Sequence, residues 1–115
     1  MRTFEPGDIV RAPFPYTDRD ANQHRPAIVV STHGLGPKAG IFWVVMVTSA
    51  ENRSWPHDVP IGPDHLRYSL PIPSVIRPAK IAAVDGARLE FVGRVSEDLL
   101  SQVVVELAAI GLGDS

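Results

Sequence analysis

The chain contains no cysteine, which excludes disulfides and thiolate metal sites. It has no apolar run near the roughly 20 residues of a membrane-spanning helix. Its opening "MRTFEPGDIV" lacks the apolar stretch of a secretory signal. Together these absences predict a cytoplasmic protein. The four histidines, His24, His33, His57 and His65, show none of the close pair spacings of zinc ligands. There is no G-x-S-x-G nucleophile elbow, and "GLGPKAG" lacks the Gly-Lys-Ser/Thr that makes a phosphate-binding loop. Asp18 and Asp20 in "TDRD" could share a magnesium ion, but they read rather as part of a solvated loop. No cofactor or metal is expected. From Ser96 onward there is no Lys or Arg. Glu97, Asp98, Glu106 and Asp114 give that segment −4, so the rest carries +2 within a net charge of −2. A polyanionic partner is therefore compatible with the body of the chain, where local arginines can line a groove.

What is present is a chain of 115 residues, 44% of them hydrophobic, which predicts one globular domain over residues 1–115. "GDIVRAPFP" reads as a short strand, Asp8 to Ala12, closed by prolines. The polar stretch from Tyr16 to His24 is long for a hairpin connection, and such loops often carry function. "RPAIVVS" is a second strand. "IFWVVMVTSA" is a third, β-branched and aromatic without alternation, as expected when both faces are covered; Phe42 and Trp43 read as core. The middle is rich in proline, which argues against a helix and for short strands. "DVPI", "SVIR", "AKIAAVD" and "ARLEFVGRV" are further strand candidates, the last two joined by a hairpin turn at Asp85-Gly86. "SEDLLSQVVVELAAIGLG" predicts the one helix. Ser96 caps it, Leu99, Val103, Leu107 and Ile110 form its apolar stripe, and Gly111 ends it. Many short antiparallel strands with one terminal helix predict a mainly β, α+β fold: a small, strongly bent sheet or barrel.

The chemistry-bearing residues gather at the strand ends. Pro26 fixes its own φ and removes an N–H, which holds His24 and Arg25 at the mouth of the second strand. Thr48 and Ser49 end the third strand. If the two strands are antiparallel neighbours, Arg25 and Thr48 converge on one rim. A guanidinium fork and a hydroxyl suit a phosphate group. The residues alone leave open a plainer reading, an exposed charge at a strand start and a β-branched residue in a strand.

Five stretches, "GDIVRAPFPYTD", "RPAIVVS", "VVMVTSA", "PSVIRPAKIAAVD" and "GRVSEDLLSQV", resemble in order and spacing the PemK/MazF family of type II toxin–antitoxin toxins. The resemblance runs from about Pro6 to Leu112. It implies an SH3-like β-barrel with a C-terminal helix, a homodimer, a cognate antitoxin, and metal-independent, sequence-specific cleavage of single-stranded RNA. The arginine of the family's "RP" motif and the threonine of its "TS" motif form the catalytic pair, and they fall on Arg25 and Thr48. In Kid-type members an arginine and an aspartate two residues later follow the equivalent of "SVIR". Arg77 matches the arginine, but Ala79 stands at the aspartate position, which favours the MazF-type site.

RNA brings its own nucleophile, the 2′-hydroxyl. The expected roles are therefore phosphate stabilisation by Arg25, a further hydrogen bond from Thr48, and proton removal by His24. RNA contacts are expected from Tyr16, Thr17, Asp18 and Gln23 in the first loop, Ser49 beside Thr48, Trp55, His57 and Arg67 in the Asn52–Arg67 segment, and Arg77. Two rivals share the fold: a gyrase-binding toxin of the CcdB type, disfavoured by the absence of a tryptophan in "GLGDS", and a non-enzymatic SH3-like interaction module.

Overall fold

Alternation along three strands divides the apolar residues between two cores. The structure, a computed structural model, describes residues 3–13, 24–32, 34–36, 38–68 and 70–111, without the side chain of Asp64. The strands are β1 (Asp8–Pro13), β2 (His24–Val29), β3 (Ile41–Ser49), β4 (Val59–Pro60), β5 (Ser74–Asp85) and β6 (Glu90–Arg94), followed by helix α1 (Glu97–Ile110). Ile9, Ile28, Val45 and Val47 join Leu99, Val103 and Leu107 of α1 in one core. Val10, Ala27, Val29, Phe42, Val44 and Met46 join Phe4, Val84 and Leu89 in the other. Period-two side chains put the two sets on opposite faces of one sheet. Both faces of the middle of β3 are thus covered, as expected. Its beginning is not: Ile41 and Trp43 are 36% and 40% exposed. The core that includes α1 reaches along β3 only to Val45, so Trp43 is a surface residue and Phe42 alone is core.

The sheet is antiparallel throughout, in the order β4-β5-β3-β2-β1-β6. Among the described residues β4 and β6 do not pair, so the expected barrel is an open, curled sheet. "SVIR" and "AKIAAVD" form one strand rather than two. Val45 pairs with Ile81 but the next residue, Met46, pairs with Arg77, so residues 78–80 bulge out of the ladder. Pro78, which has no N–H to contribute, sits in that bulge, where none is required.

The turn expected at Asp85-Gly86 is a 3₁₀ turn, Gly86–Arg88, in which the Asp85 carboxylate accepts from Ala87 N–H (2.9 Å). It does not close a hairpin, because β6 crosses to pair with β1. Gly86 donates to the Gly40 carbonyl (2.7 Å). A Cβ at Gly86 would lie 3.0 Å from the ring of buried Phe42 and 3.3 Å from the Gly40 carbonyl, so any larger residue in this turn would have to push β3 aside by a few tenths of an ångström. Gly7, at φ +95°, ties three elements together: its N–H donates to Val29 (2.8 Å) and its carbonyl accepts from Val95 (2.9 Å). No helix among the described residues is long and apolar enough to cross a membrane.

α1 starts and ends as its sequence dictates. Ser96 Oγ accepts from Leu99 N–H (3.2 Å), Glu97 and Asp98 occupy the first turn, and Gly111 ends the helix in the left-handed region. Leu99, Val103 and Leu107 are buried and Ile110 is half-buried. Ser96→Ala removes the side-chain cap and should cost about 1 kcal/mol. That lowers the melting temperature by about 4–8 °C. Ser96→Asp should retain most of the stability, and thermal unfolding of the two variants checks the assignment.

Candidate functional site

The pairing of β2 with β3 sets the site. Ala27 faces Met46, Ile28 faces Val45 and Val29 faces Val44. Continued by two residues, the same register sets Arg25 across from Thr48, and residues opposite each other in an antiparallel pair share a face. The ladder stops at Ala27, next to Pro26, which has no N–H to extend it. Beyond it lies a cleft of about 250 Å³. Its polar lining is Arg25, Thr48, Ser49, Asn52 and Ser74, and its apolar lining includes Val47, Leu70, Pro71 and Ile72. The volume is below that of a pocket that encloses a whole small ligand. An open cleft with an arginine, three hydroxyls and several aliphatic side chains has the size and the donors to take part of a phosphate-bearing polymer.

The end of β3 is built by a tight turn. Ser49 carbonyl accepts from Asn52 N–H (3.1 Å), Ser49 Oγ accepts from Glu51 N–H (3.1 Å), and Ala50 N–H donates to Pro73 carbonyl (2.9 Å). The turn returns Asn52 over the strand end, where its Nδ2–H donates to Thr48 Oγ1 (2.6 Å). Leu70, which also lines the cleft, is held by His65, whose Nδ1–H donates to the Leu70 carbonyl (2.9 Å), while Leu70 N–H donates to the His65 carbonyl (2.9 Å).

The structure brings together some of the residues expected at the site and separates others. Arg25, Thr48 and Ser49 meet in the cleft. His24 is exposed and does not line it. Arg67 is exposed on the turn after the 3₁₀ turn Gly62–His65. Tyr16, Thr17, Asp18 and Gln23 lie outside the described residues, as do Asp20 and His33. Arg77, expected at an RNA groove, is only 4% exposed. Its Nε–H and Nη2–H donate to the two carboxylate oxygens of Asp58 (3.0 and 2.9 Å), and Nη2 also donates to Arg53 carbonyl (2.7 Å). Its guanidinium carbon lies 4.4 Å from the centroid of Trp55, and the Lys80 ammonium 5.2 Å from it. Trp55, expected to stack on bases, is thus already stacked on a cation of this chain. His57, expected to bond RNA, sits at φ +73° with Nδ1 at 2.8 Å from Glu106 Oε1 on α1.

A second cleft, of about 270 Å³, runs between the Asp58–Pro60 segment and Ser101, Gln102, Val105 and Glu106 of α1. Its lining holds two carboxylates and no Lys or Arg, so it offers a phosphate no cationic donor. Sequence reasoning gave Asn52 and Asp58 no role of their own. The signal for Asn52 was the turn-forming serine three residues before it. For Asp58 none existed, because its partner Arg77 lies 19 residues away.

The geometry can be set beside known proteins. A family model for the PemK-like, MazF-like toxins of type II toxin–antitoxin systems matches residues 5–110. In fold the chain is similar to the MazE–MazF complex (Form-II) of Deinococcus radiodurans, with a TM-score of 0.70, 22% identity, and 99% of this chain and 100% of that one covered. It is also similar to an endoribonuclease in complex with its cognate antitoxin from a mycobacterial species, with a TM-score of 0.66, 19% identity, and 96% and 98% covered. No curated protein sequence matches the chain.

Asp58 and Arg77 are both nearly buried, with side chains 8% and 5% exposed. Asp58→Ala should therefore leave a buried, uncompensated guanidinium and cost about 3–5 kcal/mol. Asp58→Asn keeps one acceptor and should cost less. Urea unfolding of both variants tests the order; equal losses would mean that the charge pairing does not hold this segment.

Proposed function

The chain belongs to the PemK-like, MazF-like toxins of type II toxin–antitoxin systems, and from that membership we propose that it is an endoribonuclease that cleaves single-stranded RNA. The observation that carries the proposal is the placement of Arg25 and Thr48 on one rim, in a cleft open enough for a polymer. RNA cleavage by its own 2′-hydroxyl needs few groups. The O2′–P bond forms as the P–O5′ bond breaks. A proton leaves O2′ and another reaches O5′, which gives a 2′,3′-cyclic phosphate and a 5′-hydroxyl end. Negative charge builds on the non-bridging phosphate oxygens between these events. Arg25 supplies a permanent charge and a planar fork of donors to those oxygens, and Thr48 adds an O–H donor.

These two donors do the work that a metal ion does elsewhere, so the reaction as proposed uses none. Proton removal is not assigned to His24, which stands off the cleft. Base selection is assigned to the aliphatic wall of Leu70, Pro71 and Ile72 rather than to Trp55, whose ring already lies against Arg77. The toxin is held silent by an antitoxin that brings carboxylates to the same cleft, because a site that accepts phosphate oxygens accepts those of an acidic peptide. The similarity to toxin–antitoxin complexes supports this partner.

The test is incubation of the purified protein with a long single-stranded RNA. Cleavage should persist in excess EDTA and leave 2′,3′-cyclic phosphate ends. Arg25→Ala and Thr48→Val should each lower the rate by about 10²–10³-fold, with melting temperatures close to wild type. An intact RNA, or variants as active as wild type, would refute the assignment. An acidic antitoxin segment should compete with RNA and bind more weakly as salt rises; affinity indifferent to both would place it elsewhere.

A further inference from the structure

A threonine hydroxyl has one proton and two lone pairs, and it rotates to suit its neighbours. As a donor to a phosphate oxygen, it is useful only if its proton points at the substrate. Thr48 does not choose its direction freely. Asn52 Nδ2–H donates to Thr48 Oγ1 at 2.6 Å, short for a bond of this type. With one lone pair engaged by a donor, the hydroxyl proton must turn away from Asn52. We propose that Asn52 is a positioning residue that orients the Thr48 hydroxyl, so that its proton is presented to the cleft shared with Arg25. This rests on the reading of that cleft as the RNA cleavage site.

An exposed asparagine normally exchanges such a bond for water. Here two anchors hold it in place. On one side, the turn at Ser49 fixes Asn52 by its own N–H (3.1 Å), and Glu51 N–H on Ser49 Oγ (3.1 Å) tightens that turn. On the other, the next carbonyl along, that of Arg53, accepts from buried Arg77 (2.7 Å). The asparagine is therefore pinned between the strand end and the buried ion pair, and its amide needs little further ordering to reach Thr48. The arrangement also explains why a serine follows Thr48: Ser49 builds the turn that brings Asn52 back.

The choice of amide matters. A carboxylate at this position only accepts hydrogen bonds. It would draw the Thr48 proton toward itself, reverse the bond and add negative charge beside a phosphate. Asn52→Asp should accordingly be more damaging than Asn52→Ala.

The experiment measures RNA cleavage at several concentrations of a long single-stranded RNA for wild type, Asn52→Ala, Asn52→Asp, Thr48→Val and the double variant Asn52→Ala/Thr48→Val. Asn52→Ala should lower kcat by up to about 100-fold with KM little changed, since the loss is one of orientation. In the Thr48→Val background the same substitution should have no further effect. Equal losses in both backgrounds, or a loss confined to KM, would show that Asn52 acts on the RNA or on the fold and would overturn the proposal. A second measurement does not depend on activity. The Asn52 side-chain amide resonances of ¹⁵N-labelled protein should move in Thr48→Val and stay in Thr48→Ser. Resonances indifferent to Thr48→Val would mean that the bond is absent, whatever the protein does to RNA. Loss of cleavage in Thr48→Val with wild-type kinetics in Asn52→Ala would leave the proposed function standing and remove this inference alone.

Discussion

Arg77 is the fixed point of this molecule. A guanidinium that is 4% exposed must find acceptors or destabilise the fold. Its acceptors come from the segment between β3 and β4: both oxygens of Asp58 and the carbonyl of Arg53. That segment is almost wholly exposed from Ala50 to His57, so it has few apolar contacts of its own to hold it. The buried charge does so instead. Pairs at this depth add little net stability over an apolar replacement. Their effect is positional: a chain that must satisfy one guanidinium from three directions has few other places to go.

Position propagates from there. Asp58 also accepts from Trp55 N–H (3.0 Å), closing a turn that lays the indole over Arg77. His57, in the left-handed region within that turn, reaches Glu106 and links the segment to α1. At its other end the segment carries Asn52 to Thr48. The residues that looked most like an RNA-binding surface in the sequence, a tryptophan, a histidine and an arginine close together in space, are thus engaged with one another and with α1. None of the three lines the cleft that holds Arg25 and Thr48.

The bulge in β5 makes this possible. Pro78 interrupts the ladder, and the register between β3 and β5 shifts across residues 78–80. Arg77 ends the first half of the strand and Lys80 closes the bulge, and both cations lie against the Trp55 ring. A regular strand would turn successive side chains to opposite faces. The bulge breaks that alternation and lets residues three apart meet the same partner.

The sequence by itself determined where strand-forming segments lie, the helix and its caps, because these depend on local signals: β-branched runs, prolines at strand mouths, Ser96 and Gly111; that "SVIR" and "AKIAAVD" form one bulged strand it did not. It also carried the pair of candidate residues at the site, Arg25 and Thr48, since two antiparallel neighbours joined by a connection bring the start of one beside the end of the other. What it did not carry is whatever depends on distant pairing. The crossing of β6 to β1, the open sheet edge and the exposure of Trp43 follow from how far α1 and the curled sheet extend. The burial of Arg77 follows from Asp58, 19 residues earlier in the chain. The placement of Asn52 beside Thr48 follows from both the turn at Ser49 and the anchor at Arg53. A residue's type announces what bonds it can make, but only the tertiary structure decides which partner is within 3 Å of it, and a polar side chain already engaged inside the fold cannot be told from a free one by its letter.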